Sequence, residues 1–442
     1  MQHSCHRLRP VTRSIFKHRL LKPLLVLAAC LASVLLTLIV INLQSGEKRV
    51  TEKIEHTYSV ADPQFPRAMG VLLGPALVGG NRVETLLNGD RIFPAMLEAI
   101  RGARKTITFE TYIYWSGEIG RAFAQALSER ARAGVKVHVI LDWLGSQKMD
   151  QAAIAAMRES GVEIEQYHPI RWYTLDRVNN RTHRKLLVVD GRIGFTGGVG
   201  IADKWSGDAQ DADHWRDTHY RIEGPAVAQM QAAFSDNWIK ITGRVLSSED
   251  YFPSLAAAGD QVAQVFESSV EGGAESTHLM YLLAIASAKQ SIDLSMAYFA
   301  PDRPALDALK DALRRKVHVR IILPGPITDA ALVQSASRAS WGELLALGAE
   351  IHEFQPTMFH CKVLVVDRLW TSVGSTNFDS RSFRLNDEAN LNVLDRSVAE
   401  RQVRDFEDDL KQSRRVTLEQ WEARPWHEKL MERAALIFNA QL

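Results

Sequence analysis

Cysteine is scarce in this chain. Its 442 residues hold three, and Cys5 and Cys30 lie in the N-terminal segment, leaving Cys361 alone in the main body. A disulfide framework within the body is therefore excluded, and cysteine usage says little about the redox compartment. Net charge is also nearly absent, at +1 from 53 Lys+Arg and 52 Asp+Glu. That withholds the basic balance expected of a bulk nucleic-acid binder, while leaving room for a local basic cleft. Clusters of His, Cys and carboxylate at short zinc-type spacing are missing too. Where histidines stand out, a lysine two residues on would repel a cation, so no metal and no cofactor is expected. What remains, 46% hydrophobic and 24% charged, is the profile of an ordinary globular protein. The length allows two domains or one large duplicated one.

Long apolar runs are missing from all but one place. "PLLVLAACLASVLLTLIVINL" (Pro23 to Leu43) carries no charge and is long enough to cross a hydrocarbon core of roughly 30 Å as a helix. Arg7, Arg9, Arg13, Lys17, Arg19 and Lys22 precede it, while the basic residues after it are fewer and mixed with Glu47 and Glu52. The positive-inside bias predicts a cytoplasmic N-terminus (1–22), a membrane anchor (23–43) and a body on the outer side of the inner membrane. A cleaved signal peptide, or lipoprotein processing at "LAAC" (Leu27 to Cys30), are the competing readings. The apolar run continues well past Cys30, which favours the uncleaved anchor.

The rest of the chain repeats itself. "FPAMLEAIRGARK" and "THLMYLLAIASAKQ" predict matching helices, followed by the strands "TITFETYIY" and "SIDLSMAYF". Amphipathic helices follow, then the strands "VKVHVILD" and "VHVRIILP", then "GVEIEQYHP" and "GAEIHEFQP". Strand–helix–strand order in each half predicts an α/β fold of βαβ units with mixed, largely parallel sheets. The expected boundaries are a linker over 44–84, a first domain over 85–245, a linker over 246–275 and a second domain over 276–415. A C-terminal helix over 416–442, docked or membrane-associated, completes the chain.

Each half then reaches a histidine motif, "THRKLLVVDGRIGFTGGVG" (Thr182 to Gly200) and "FHCKVLVVDRLWTSVGSTN" (Phe359 to Asn377). Alternation along a strand puts His183 with Lys185 on one face, and His360 with Lys362. Lysine neutralises an anion such as phosphate, and histidine attacks phosphorus or moves a proton near neutral pH. Asp190 and Asp367 fall on the other parity at turns and read as orienting residues. Cys361, between His360 and Lys362, faces away from both, which argues against a catalytic thiol. The small residues after each strand, Gly198 in the first motif and Gly374 and Ser375 in the second, permit close backbone approach to a ligand, and Asn377 can donate to a phosphate oxygen. A nucleophilic histidine needs an acidic partner to set its tautomer. Asp217 and Glu388, each ten residues before a helix-opening valine, supply one carboxylate per half.

The doubled His-x-Lys-x4-Asp pattern, with its small-residue turn, resembles the phospholipase D superfamily over about residues 88–404. "MAYFAPD" and "GSTNFDSRSFRLNDEANL" are similar to the bacterial cardiolipin synthases within it. Two departures stand out: Gly200 occupies the first motif's usual Asn position, and one membrane helix is read where many relatives have two. The resemblance implies two tandem α/β/α domains sharing one active site between them, with His183, Lys185, Asp190, His360, Lys362 and Asp367 as the catalytic motif. It implies a phosphohistidine intermediate, with Lys185, Lys362, Gly198, Ser375 and Asn377 around the phosphate and Asp217 and Glu388 orienting the histidines. The implied substrate is an anionic phospholipid, phosphatidylglycerol, at a membrane. Rival readings are a hydrolase releasing phosphatidic acid, a superfamily nuclease, and a lipid-binding scaffold with a dead site. "YHPIRWYTLDRVNNR" (Tyr167 to Arg181) reads as a membrane-facing mouth, with Trp172 and Tyr173 at the interface and Arg171, Arg177 and Arg181 for anionic headgroups.

Overall fold

The computed structural model describes residues 13–43, 50, 52–169, 179–269 and 275–436. The chain divides into two compact units, one comprising 1–44 with 170–179 and the other the remainder. In the first unit, Arg13–Leu43 forms one helix of 31 residues with Pro23 inside it. Its side chains are described over 22–38, where Leu24, Leu27, Leu31 and Leu35 are exposed. Among the described residues, no helix is long and apolar enough to cross a membrane. Most of the mouth segment read over Tyr167–Arg181 lies outside the described residues.

The second unit carries the body. In chain order its first strands are β1 (Val78–Leu87), β2 (Thr106–Thr111), β3 (Lys136–Asp142), β4 (Glu163–Tyr167), β5 (Arg181–Thr182), β6 (Leu186–Val189), β7 (Ile193–Gly197) and β8 (Thr218–Glu223). The second set is β9 (Gln261–Ser268), β10 (Ser291–Met296), β11 (Phe299–Ala300), β12 (His318–Pro324), β13 (Glu350–Phe354), β14 (Lys362–Val366), β15 (Trp370–Gly374), β16 (Phe378–Asp379), β17 (Asn386–Leu394) and β18 (Ser413–Val416). One sheet runs β18-β13-β12-β10-β14-β15-β17-β9-β1-β8-β7-β6-β2-β3-β4, with β5 pairing β17 off this path. The order is palindromic about the β9–β1 pair: β17 answers β8, β15 answers β7, β14 answers β6 and β10 answers β2.

Two expectations are corrected by this topology. The sheet is mixed but mostly antiparallel, with parallel pairing along β2-β3-β4, along β10-β12-β13 and at the short β5–β17 pair. Helical crossovers generate the parallel pairs, whereas each histidine motif returns through a hairpin, β6–β7 or β14–β15, which must be antiparallel. The ranges read as linkers, 44–84 and 246–275, also hold structure. They contain the helix Gln64–Leu73, most of β1, and all of β9. β9 pairs β17 on one side and β1 on the other, so the two halves join in one sheet. Gly79 and Gly80 in β1, and the turn-forming residues around β9, mask strands whose pairing partners lie far along the chain.

Helices cover both faces. Period-two alternation divides the motif strands between the layers: Leu187 and Val189 enter the first half's core, beneath helices Asn88–Gly102 and Glu118–Arg132. Leu364 and Val366 enter the corresponding core of the second half. Leu186, Val188, Val363 and Val365 all point into one further core, shared by both halves, under Val227–Thr242 and Arg396–Lys411. The C-terminal helix Trp426–Ala435 docks through buried Glu432 and Ala435, with Arg424 pairing Glu432 at 2.6 Å. Its Trp426, Leu430 and Met431 remain exposed.

Candidate active site

The site lies where the two halves meet, and each half reaches across to the other. β5 runs parallel to β17, and the His183 amide donates to the Asp387 carbonyl at 2.8 Å. The opposite contact has the same form, with the His360 amide donating to the Arg216 carbonyl at 2.8 Å. Each histidine therefore sits beside the other half's carboxylate. His183 Nδ1 lies 3.0 Å from both oxygens of Glu388, and His360 Nδ1 lies 2.7 Å from Asp217 Oδ2. With Nδ1 donating to the carboxylate, each ring keeps its lone pair on Nε2, and that of His360 lies 3.3 Å from Lys362 Nζ.

His183 and His360 precede their strands rather than lying in them, and the strand of the second motif opens only at Lys362. The chain is extended there, and each lysine folds back on its histidine: Lys185 Nζ donates to the His183 carbonyl at 2.8 Å, and Lys362 Nζ to the His360 carbonyl at 2.9 Å. Both lysines are buried. A cavity of about 280 Å³ collects His183, Lys185, His360 and Asn377 together with Arg181, Arg381, Trp205 and Trp215.

Burial governs the electrostatics here. It lowers His183 to about 4, against the opposing pull of Glu388, and it lowers His360 as well. It lowers Lys185 to about 7, and Lys362 in the same direction. Burial also opposes ionisation of Asp217 and Glu388, but the adjacent histidines and lysines outweigh it and both carboxyls stay below their ordinary range. Two lysines and two carboxylates thus surround two imidazoles that burial holds toward the neutral form. A bound phosphodiester anion favours protonation of every basic group beside it.

The other expected residues are placed as follows. Ser375 donates to Glu388, so it fixes the carboxylate that fixes His183. Gly198, its counterpart, is packed so closely that a Cβ there would meet the Asp217 carboxylate at 2.2 Å. The Trp205 indole N–H takes the equivalent position in the first half, donating to Asp217 Oδ2 at 2.9 Å; sequence reading missed it because "DKW" lies outside the repeated pattern. Gly200 is equally constrained, since a Cβ would meet Ile113 at 2.7 Å and Trp205 at 3.1 Å. An asparagine does not fit there, so Asn377 has no partner of its kind across the cavity.

Asp190 and Asp367, grouped with the catalytic motif from sequence, are outside the cavity. Asp190 accepts from the amides of Arg104, Lys105 and Thr106, and Asp367 from those of Lys289, Gln290 and Ser291. Each pins the start of a neighbouring strand to a motif hairpin. Cys361 points into an apolar cluster with Phe359 and Phe406, and burial pushes its thiol up to about 12. Among the described residues no group of three or more His, Cys, Asp or Glu is arranged to hold a metal.

Known proteins resemble this chain over most of its length. The family model described as "Cardiolipin synthase, PLD-like domain" matches residues 96–238 and 281–410. Cardiolipin synthase 2 of Bacillus anthracis is 35% identical over 353 residues, covering 79% of this chain and 68% of that protein. Cardiolipin synthase A of Pseudomonas putida is 33% identical over 376 residues, covering 84% and 76%. Among solved structures, phosphatidylserine synthase of Haemophilus influenzae aligns with a TM-score of 0.65 at 14% identity, over 86% of this chain and all of that one, a likeness of fold. The chain belongs to the cardiolipin synthase family of phospholipase D-like proteins.

Proposed function

We propose that this enzyme transfers a phosphatidyl group from one phosphatidylglycerol to the free glycerol hydroxyl of another, giving cardiolipin and glycerol. The observation that carries the reading is the pair of crossed His–carboxylate contacts, each with its lysine, opening into one cavity. His183 Nε2 attacks phosphorus, the bond to the glycerol oxygen breaks, and the His360 imidazolium supplies the proton that the leaving alkoxide takes. His360 then accepts the proton of the incoming hydroxyl, whose oxygen attacks phosphorus as the P–N bond breaks. Lys185, Lys362 and Asn377 hold the phosphoryl oxygens, and Glu388 and Asp217 keep both rings in the reactive tautomer.

The same proposal places the chain in the inner membrane, N-terminus inside and body outside, through Pro23–Leu43. Its support is the uncharged run and its basic leading flank, together with the helix Arg13–Leu43 and its exposed leucines; the run extends past the described side chains. The test is a mass-spectrometric product assay on phosphatidylglycerol vesicles containing chelator, beside a His183→Ala, His360→Ala control. Cardiolipin with equimolar glycerol, absent in the control, is expected. Phosphatidic acid alone would replace the transferase reading by hydrolysis.

A further inference from the structure

The C-terminal helix Trp426–Ala435 is engaged on one side only. Glu432 and Ala435 are buried. Glu432 is held by Arg424, and Ala435 packs with Ala300 and Ala336 in a small cluster of its own. The opposite side is apolar and bare. Trp426, Leu430 and Ala434 recur every four residues and so stack along one stripe, with Met431 beside them. Trp426 is 75% exposed, Leu430 58% and Met431 59%. Such side chains are ordinary when scattered singly, but a contiguous stripe marks a surface that meets something apolar. Lys429 and Arg433, also four apart, run along one edge of the stripe, and Arg433 is exposed. By the same spacing Glu428 and Glu432 fall on the docked side. The free side is therefore apolar with a cationic edge.

The helix is held at both ends, and one end reaches the active-site cavity. Trp421, just ahead of it, donates its indole N–H to the Arg338 carbonyl at 2.8 Å and fills the space over Gly342. At the other end Ala435 meets Ala336, which lies one turn beyond Val333 on the helix Ala331–Leu345. Val333 is in the cavity wall, as is Asp379, the strand partner of Ala300. Leu332 and Leu436, next in the chain to Val333 and Ala435, are exposed too. Exposed apolar surface thus continues from the helix toward the cavity wall.

A stripe one helix wide, with tryptophan at its start and cations at its edge, has the makeup of a helix lying in a membrane interface. Its lysine and arginine suit anionic headgroups. A stable protein partner calls for a broader face, about 800 Å², than one stripe of four side chains supplies. We propose that the free face of Trp426–Ala435 docks on an anionic phospholipid bilayer, seating Trp426, Leu430 and Met431 at the acyl boundary and setting the cavity beside the surface from which its lipid is drawn. This rests on the phosphatidyltransferase reading above, which makes a bilayer lipid the substrate.

The test uses the full-length protein in vesicles of phosphatidylglycerol and phosphatidylcholine. Cys5→Ser and Cys30→Ser leave only buried Cys361, and an environment-sensitive fluorophore is attached through Leu430→Cys. Quenching by lipids brominated on their acyl chains, with little quenching by aqueous iodide, is expected. Adding Trp426→Glu and Met431→Glu should reverse that pattern. Because the label reports its own depth, attachment elsewhere in the chain does not mimic the result. Quenching by iodide alone would place the face in water and overturn the proposal. Shielding from both quenchers that varies with protein density would assign the face to a second copy of the chain, and overturn it equally. In unlabelled protein, Leu430→Glu with Met431→Glu is expected to lower turnover of vesicle phosphatidylglycerol by about ten-fold. Short-chain phosphatidylglycerol dissolved as monomers should be turned over at the wild-type rate. No loss on vesicles, or an equal loss on both substrates, would deny the helix this role. Failure of the wild type on both substrates would remove the transferase reading and leave the quenching result to decide the docking face by itself.

Discussion

The histidine rings carry the chemistry, and their environments make distinct predictions. Replacing either His183 or His360 by alanine is expected to lower turnover by about 10³-fold or more, since groups that act as a unit fail together; cardiolipin release measured by mass spectrometry checks it. Lys185 is the more informative position. Burial depresses it to about 7, so in the free enzyme its charge is present below that pH and lost above it. kcat/KM should therefore decline on the basic side from about pH 7. In Lys185→Arg the guanidinium keeps its charge, and the basic limb should move upward whatever the absolute rate. An unmoved limb would assign it to another group. Cys361 should be inert: it is buried against Phe359 and Phe406, and its thiol is pushed up to about 12. Cys361→Ala is expected to retain turnover, and thiol reagents should leave the native enzyme active.

At the scale of elements, the two motif hairpins solve one problem in two ways. Asp190 and Gly191 have φ of 53° and 61°, and Asp367 and Arg368 have 53° and 50°. Such turns match the twist of the paired strands, but a side chain in this region costs roughly 1 kcal/mol. Gly191 is also sterically required, because a Cβ would meet the Tyr251 carbonyl at 2.4 Å. Arg368→Gly should stabilise by up to about 1 kcal/mol, whereas Gly191→Ala should destabilise; denaturant melts read both. Asp190→Ala and Asp367→Ala each remove an acceptor shared by three amides. A loss of about 2 kcal/mol in stability is expected from such charged acceptors, with KM unchanged in the folded fraction. A change in KM at constant stability would return these aspartates to the catalytic machinery.

In the body, one 16-stranded sheet joins both halves beside a short two-stranded one, and neither half owns a complete histidine–carboxylate pair. His183 depends on Glu388 and His360 on Asp217, while β9 ties the halves edge to edge. Because both crossings occur within a single chain, mixing a His183→Ala protein with a His360→Ala protein should restore no activity. Recovery on mixing would mean that the site is assembled between chains.

The residues of the site were legible in the sequence because a motif stated twice, with lysine at fixed spacing from histidine, marks itself without any knowledge of contacts. Motif order and alternation also predicted the strands from β2 to β4 and from β10 to β13, since these pair through local βαβ connections. β1 and β9 escaped, because their pairing spans far more chain than any local pattern can encode. Chain order assigns each half its own histidine, lysine and carboxylate. Only the tertiary structure decided that the carboxylates cross over, because β5 lies along β17 and Phe359 along Arg216. The place of Gly200 was decided in the same way: the sequence shows a missing asparagine, and the fold fills that space with Ile113 and Trp205. Spacing along a chain determines which groups are available, and packing across the sheet determines which of them meet.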